Sequence, residues 1–510
     1  MITRKKISLI TMLMLGLLVQ ACGGMAPAGS VYEYQPSSTD YGPTYGGLNP
    51  VNGDPYHDVF FENYGVNPLI DTEDDNLSTF ALDVDTGSYT ITRRYLRDGN
   101  LPPDDAIRVE EFVNFFDMKY PLPQQEAFSI HLDGGVTPFV QNEHYQVIRI
   151  GIQGYDIPDE ERKDASLTFV IDVSGSMDME NRLGAVKEAL TSLVESLRPT
   201  DQVGIVVYGS NAKKILDPTP VSDSQTILDA IRRLEPGGST NAEEGLQMGY
   251  KLASQAFLTG GINRVILCSD GVANVGNTGP DKILESIREY ASQGIQLTTV
   301  GFGMGNYNDV LMEQLADDGD GFYAYVDTPQ EAEKLFVDDL TGTLQAIAMD
   351  AKVQVEFNPE VVSRFRLIGF ENRALEDDEF RDDTVDAGEI GAGHSVTALY
   401  EVKVIENGQG EIATVFMRWQ DPDTHEVIEI SRSIDTSAIA ASFEESSPSF
   451  KLAVMVAEFA EILRGSYWAK QFNLNDLVGQ LDSQSWPQFD DEEVLEFENL
   501  VREAARLSGQ

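Results

Sequence analysis

Between residues 165 and 345 short apolar runs alternate with amphipathic stretches, and that alternation leaves few folds open. Leu167-Thr168-Phe169-Val170-Ile171-Asp172 is an apolar run closing on an acid, and the stretches 203–208, 265–268 and 295–300 repeat its character. Runs of this kind suit parallel strands buried on both faces. Helical stretches are expected between them, over 182–197 and around 222–235, 242–256 and 280–293. Strand and helix in alternation predict an α/β fold with a doubly wound parallel sheet, Rossmann-like in its winding. Such sheets bind ligands outside the carboxyl ends of their strands, which fixes where a site is to be sought.

Three loops fall at those ends, and each carries hard oxygen donors. Asp172-Val173-Ser174-Gly175-Ser176 follows the first strand, Gly237-Gly238-Ser239-Thr240-Asn241 precedes a helix, and Ser269-Asp270-Gly271 follows the third strand. Two carboxylates and three hydroxyls meeting at one point make a site for a hard divalent cation. Only two negative charges are supplied, so Mg²⁺ keeps water ligands there and leaves a position open to an outside donor. The set resembles the metal-ion-dependent adhesion site (MIDAS) of von Willebrand factor A (vWA) domains. Its DxSxS motif is complete at Asp172, Ser174 and Ser176, with the threonine at Thr240 and the aspartate at Asp270 in matching order. The resemblance implies one site for Mg²⁺, or for Mn²⁺ or Ca²⁺ in its place. Ser174, Ser176 and Thr240 are then direct ligands, and Asp172 and Asp270 act directly or through water. It also implies a protein partner whose carboxylate completes the coordination.

The remaining folded chain reads as three parts around this domain. Residues 66–160 form an N-terminal α+β region. It opens on the extended run Ser78-Thr79-Phe80-Ala81-Leu82-Asp83-Val84-Asp85 and continues in two helical stretches. The second starts at Pro103-Asp104-Asp105 and carries Ile107, Val109, Phe112, Val113 and Phe116 near helical spacing. Strand alternation follows over 126–153 and returns over 351–435, with a turn at Asn407-Gly408. Residues 436–510 are helical and acidic. Isolated hairpins are marginal in water, so the two β sections are expected to pack together as one β-sandwich-like domain, with the α/β domain inserted between them. The last helix of the inserted domain is expected over 329–348, with Ala332, Leu335, Phe336, Leu340 and Leu344 on one face. Ile368-Gly369-Phe370-Glu371-Asn372-Arg373, the stretch 386–394, the stretch 77–85 and Leu101-Pro102-Pro103 resemble a family of bacterial vWA-domain lipoproteins with conserved regions on both sides of the A domain. The likeness covers most of residues 66–505 and informs the architecture more than the mechanism.

The start of the chain reads as an address. Arg4, Lys5 and Lys6 precede an apolar run over 7–19 that is too short for the ~30 Å hydrocarbon core, so it reads as a secretory signal. Val19-Gln20-Ala21-Cys22-Gly23-Gly24 resembles a bacterial lipobox. That implies a signal peptide over 1–22, acylation at Cys22 and attachment to the cell envelope through an N-terminal lipid anchor. Gly23, where inner-membrane lipoproteins often carry aspartate, favours the outer membrane. Residues 23–65, rich in Gly, Pro, Ser, Asn and Tyr with no apolar period, read as a flexible tether.

Composition closes off other functions. Eighty-four acids against 36 bases give a net charge of −48, which excludes a general nucleic-acid binder. Two cysteines, Cys22 and Cys268, exclude a disulfide scaffold and a thiolate metal site. Asp85-Thr86-Gly87-Ser88 spells an aspartic-protease motif, but no second copy supplies the partner carboxylate that chemistry needs. Gly301-Phe302-Gly303-Met304-Gly305 lacks dinucleotide-loop spacing, and Asp317, Asp318 and Asp320 lack the EF-hand pattern, leaving a solvated turn with a second Ca²⁺ site as the alternative. No nucleophile with a nearby base can be assembled, so no enzymatic activity and no small-molecule substrate are expected. Two readings stay open: a metal-dependent, adhesion-type binding module on the envelope, and an envelope scaffold or assembly factor that uses the metal only structurally.

Overall fold

The strand Ala165–Asp172 is buried along its whole length and pairs in parallel with Gln202–Tyr208 on one side and Ile262–Ser269 on the other. The sheet continues in parallel through Gln296–Phe302 to Tyr323–Val326, and its other edge is the antiparallel strand Ala212–Pro220. Helices Arg182–Ser196 and Ser224–Arg232 cover one face. Ala242–Gln255, Pro280–Ala291 and Asp309–Asp317 cover the other. This is the doubly wound α/β fold expected, with an antiparallel edge added. The edge strands give only weak signals: Ala212–Pro220 exposes Lys213, Lys214 and Asp217, and Tyr323–Val326, though apolar and buried, is only four residues long. The winding reverses around Ala165–Asp172, which puts the loop after Asp172 at the switch point of the sheet. The computed structural model describes residues 59–509 apart from 125, 140–144, 272–279, 305–306, 487–488 and 490. The leader with Cys22, and the tether up to residue 58, lie outside the described residues.

The β sections do combine, and they interleave. One sheet runs Ile70–Asp71, Val362–Ile368, Ser395–Val404, Tyr145–Gly154, Phe128–Gly135, Ile439–Ala440. The other runs Ala374–Leu375, Leu77–Ala81, Ala346–Phe357, Glu411–Gln420, Val427–Asp435, with Gly388–Gly391 paired to Ala346–Phe357 as well. Each sheet therefore takes strands from both sides of the inserted domain. Ile148, Ile150 and Ile152 point into a core shared with Val353, Val355 and Trp419 of the facing sheet. The alternate residue Val147 packs outward against helices, among them Val109–Asn114, Pro448–Leu463, Leu474–Leu481 and Asp491–Ser508.

Local departures from expectation have local causes. The extended run at 78–85 is a strand only over Leu77–Ala81, because the Asp83 carboxylate accepts from Asp85 N (2.8 Å) and turns the chain. The helix expected from Pro103 splits into a turn at Asp104–Ala106 and the helix Val109–Asn114, with Ile107 extended between them. The section after 436 contributes the strand Ile439–Ala440 before its helices begin. The helix expected over 329–348 is Pro329–Glu333, a π turn at Lys334–Asp338 and Leu340–Leu344. It stops there because Ala346, Ala348 and Ala351 are taken up by pairing with Gly388–Gly391. The tether expected to run to 65 is engaged from Phe60, which donates to Tyr307 O (2.9 Å) and accepts from Asp309 N (3.3 Å).

Expressed alone, residues 351–510 lack Leu77–Ala81, Phe128–Gly135 and Tyr145–Gly154, the strands that complete both sheets. This fragment is expected to show no cooperative thermal transition by circular dichroism, while residues 165–345, with helices on both faces of their own sheet, melt cooperatively. A sharp transition from the 351–510 fragment would contradict this interleaving.

Candidate metal centre

Asp172 closes the central strand and is fully buried, not at the surface as a loop residue would be. Its Oδ1 accepts from the backbone N of Ser174 (2.7 Å), and its Oδ2 accepts from the Ser269 hydroxyl (3.0 Å) at the end of the neighbouring strand. The Ser174 and Ser176 hydroxyls lie 2.9 Å apart, and Ser176 donates to Asp270 Oδ1 (3.1 Å). Four of the five residues proposed from the motif are thus joined by hydrogen bonds. Thr240, half-buried, lies on the second loop, over 237–241, and makes no hydrogen bond to the other four. That loop is nonetheless docked on the first: Gly175 N donates to Gly238 O (3.0 Å) and Gly237 N to Val173 O (2.6 Å). Gly238 has φ +99°, and a Cβ there would meet Ser210 N at 2.8 Å, so the close approach requires glycine. Beyond Thr240, Asn241 caps the helix Ala242–Gln255 by accepting from Glu244 N.

Two further residues complete the arrangement. Arg182, the first residue of the helix Arg182–Ser196, is buried and donates from Nη1 to Asp270 Oδ2 (2.7 Å). Its Nη2 donates to the carbonyl of Met304, in the glycine loop after the strand Gln296–Phe302. Ser269 holds Asp172. The sequence offered signals for both, an arginine just past DxSxS and a serine beside Asp270, but neither belongs to the ligand pattern. Two carboxylates and one guanidinium leave a single net negative charge. All the donors facing the centre are oxygens, the set that suits Mg²⁺ or Mn²⁺. Burial and the charge of Asp270 push the Asp172 carboxyl up from 3.8 to about 6, against the hydrogen bonds from Ser174 and Ser269.

The other sequence signals fall elsewhere. Asp85 of the Asp-Thr-Gly-Ser stretch is buried beside Asp83 and accepts from Tyr323 N (3.0 Å). Cys268 is fully buried, and burial pushes its thiol up to about 12, which leaves no thiolate for chemistry. Asp317 and Asp318 pair with Arg373 and Arg288, while Asp320 lies with Asp386 and Glu389. Gly305 is outside the described residues.

Three family models match the chain. Residues 166–338 match "von Willebrand factor type A domain", residues 56–149 match "von Willebrand factor", and residues 342–507 match "Uncharacterized protein YfbK, C-terminal". The chain is similar to YfbK of Escherichia coli (strain K12), 39% identical over 355 residues, which is 68% of this chain and 61% of the relative. It is 28% identical to the Synechocystis protein sll0103 over 206 residues, 40% of this chain and 47% of that protein. It is 30% identical to the human inter-alpha-trypsin inhibitor heavy chain H3 over 166 residues, 31% of this chain and 18% of that protein. The alignments therefore span less than two thirds of each of these relatives.

The raised Asp172 carboxyl has a measurable sign. Without metal, the folded chain binds this proton more tightly than the unfolded chain does. Stability from this group is therefore lost as pH rises from about 4 to about 6, by about 3 kcal/mol in full. In EDTA, urea unfolding from pH 4 to 7.5 is expected to show Asp172→Asn gaining on the wild type by up to that amount across the window. Parallel pH curves for the two proteins would refute the burial assigned to this carboxylate.

Proposed function

This chain is a homologue of YfbK, built from a von Willebrand factor type A domain and a YfbK-type C-terminal region, and on that premise we propose that it is a non-enzymatic, metal-dependent protein-binding module of the bacterial cell envelope. The observation that carries the reading is the convergence of Asp172, Ser174, Ser176 and Asp270 at the carboxyl ends of the central strands, with the Thr240 loop docked beside them. These five residues would hold one Mg²⁺ or Mn²⁺. A bound cation of this kind attracts a carboxylate from the partner, because two protein carboxylates leave part of its charge and coordination unfilled.

The chain's own residues prepare that exchange. Ser269 and Ser174 N fix both oxygens of Asp172. Arg182 orients Asp270 and lowers the negative charge that would otherwise repel an acidic ligand. The loops around the centre supply the contacts that choose among partners. Envelope attachment rests on the leader and Cys22 as read from the sequence, and no helix among the described residues is long and apolar enough to cross a membrane.

Calorimetric titration with Mn²⁺ is expected to show a binding event that Asp172→Asn abolishes and Thr240→Ala weakens by at least about tenfold. Capture of envelope proteins on the immobilised chain should be lost in EDTA and in Asp172→Asn, and restored to the wild type by Mg²⁺. Capture that persists in EDTA would replace this reading with that of a scaffold whose metal is structural.

A further inference from the structure

The interior where the N-terminal segment, the vWA domain and the β-sandwich meet holds more negative charge than its cations balance. Six carboxylates gather there. Asp83 and Asp85 follow the strand Leu77–Ala81, Glu111 lies in the helix Val109–Asn114, and Asp309, Glu313 and Asp317 lie in the helix Asp309–Asp317. None of the first five exposes more than 5% of its surface. Two guanidiniums answer them. Arg108 donates to Glu111 and Asp309, and Arg373 donates to Asp83 (3.0 Å), Glu313 (3.1 Å) and Asp317 (2.8 Å). Five buried acids, with the partly exposed Asp317 beside them, against two bases call for protons or another cation.

Asp83, Glu111 and Glu313 each bring a carboxylate oxygen within 4.8 Å of the others. Glu313 is anchored through Oε1, which accepts from Asn372 Nδ2 (2.8 Å) and Arg373. Its Oε2 is buried and has no hydrogen-bond partner, and the nearest Arg108 nitrogen stands 3.8 Å away, committed to Asp309. A buried carboxylate oxygen kept without a donor beside two other carboxylates is the feature a cation explains.

We propose that Asp83, Glu111 and Glu313 form a second cation site, for Ca²⁺, that pins the vWA domain to the N-terminal segment. The chemistry suits Ca²⁺: all three ligands are hard carboxylate oxygens in a buried site, and Ca²⁺ accepts irregular oxygen geometry and sheds its water more readily than Mg²⁺. Each carboxylate oxygen has two lone pairs, so the bonds from Ser88 N to Glu111 and from Asp85 N and Arg373 to Asp83 leave one lone pair for an ion.

The test uses the full chain and the metal alone. After dialysis against Ca²⁺ and removal of excess, the wild type and Asp172→Asn are each expected to retain one equivalent that Glu313→Gln lacks, measured by atomic emission. Equal Ca²⁺ content in the wild type and Glu313→Gln would overturn the site and leave protons to supply the counter-charge that Arg108 and Arg373 do not. If Glu313→Gln does not fold, wild-type crystals soaked in Tb³⁺ decide. An anomalous peak between Asp83, Glu111 and Glu313 supports the proposal, and its absence there overturns it.

Discussion

The guanidinium of Arg373 joins three parts of this protein. It sits in the turn Glu371–Arg373 of the β-sandwich and contacts Asp83 from the N-terminal segment together with Glu313 and Asp317 from the vWA domain. An inserted domain needs such a constraint, because its connections alone do not set its orientation. On one side a single residue, Gln345, separates the helix Leu340–Leu344 from the strand Ala346–Phe357. On the other side the chain crosses 155–164 without regular structure except turns. Arg93 works in the same way, pairing with Asp327 and Glu331 of the vWA domain and with Glu496 of the C-terminal helix. Arginine suits the task, since its fork of five donors can satisfy several carboxylates at once. Buried pairs of this kind add little net stability, yet breaking one leaves an uncompensated charge at a cost of about 3–5 kcal/mol. They therefore hold the domains in one arrangement more than they hold them folded.

The candidate metal centre is built on the same economy of charge. Asp172 and Asp270 supply the acids, and Arg182 removes part of their field while fixing Asp270 from the side away from Ser176. A centre with one net negative charge attracts a divalent cation and still leaves that cation attractive to a further carboxylate. A fully acidic centre would not. The position at the switch point of the sheet supplies the loops, and the two backbone bonds between the 172–176 and 237–241 loops keep them in register.

Much of this was legible in the sequence, for identifiable reasons. The central strands show because residues such as Ile171, Val206 and Ile266 are buried on both faces of a parallel sheet and cannot be polar. Asp172, Ser174, Ser176 and Asp270 show because their spacing is tied to strand ends. The edge strands Ala212–Pro220 and Tyr323–Val326 do not show, since one is half solvated and the other too short to display a period. Arg182 reads as an ordinary residue of the amphipathic helix expected over 182–197, and Glu313 falls where the sequence suggests no element at all, because the partners that give them meaning lie 88 and 60 residues away. Pairing of the two β sections follows from the marginality of lone hairpins, but the order of strands within each sheet is a tertiary outcome that no local pattern encodes. The π turn at Lys334–Asp338 likewise has no local signal in the sequence; there Lys334 reaches Glu493 and the Phe115 carbonyl, both far away in the chain.

The central claim is that the centre at Asp172, Ser174, Ser176, Thr240 and Asp270 holds a divalent cation with a coordination position left open to a carboxylate. Electron–nuclear double resonance on Mn²⁺ bound to the wild type, with Asp172→Asn as the blank, tests that directly. The account predicts exchangeable water protons on the Mn²⁺ assigned to this centre, reduced when an acidic peptide or acetate is added. A Mn²⁺ with no exchangeable water, or one whose water is unmoved by any carboxylate, would contradict it.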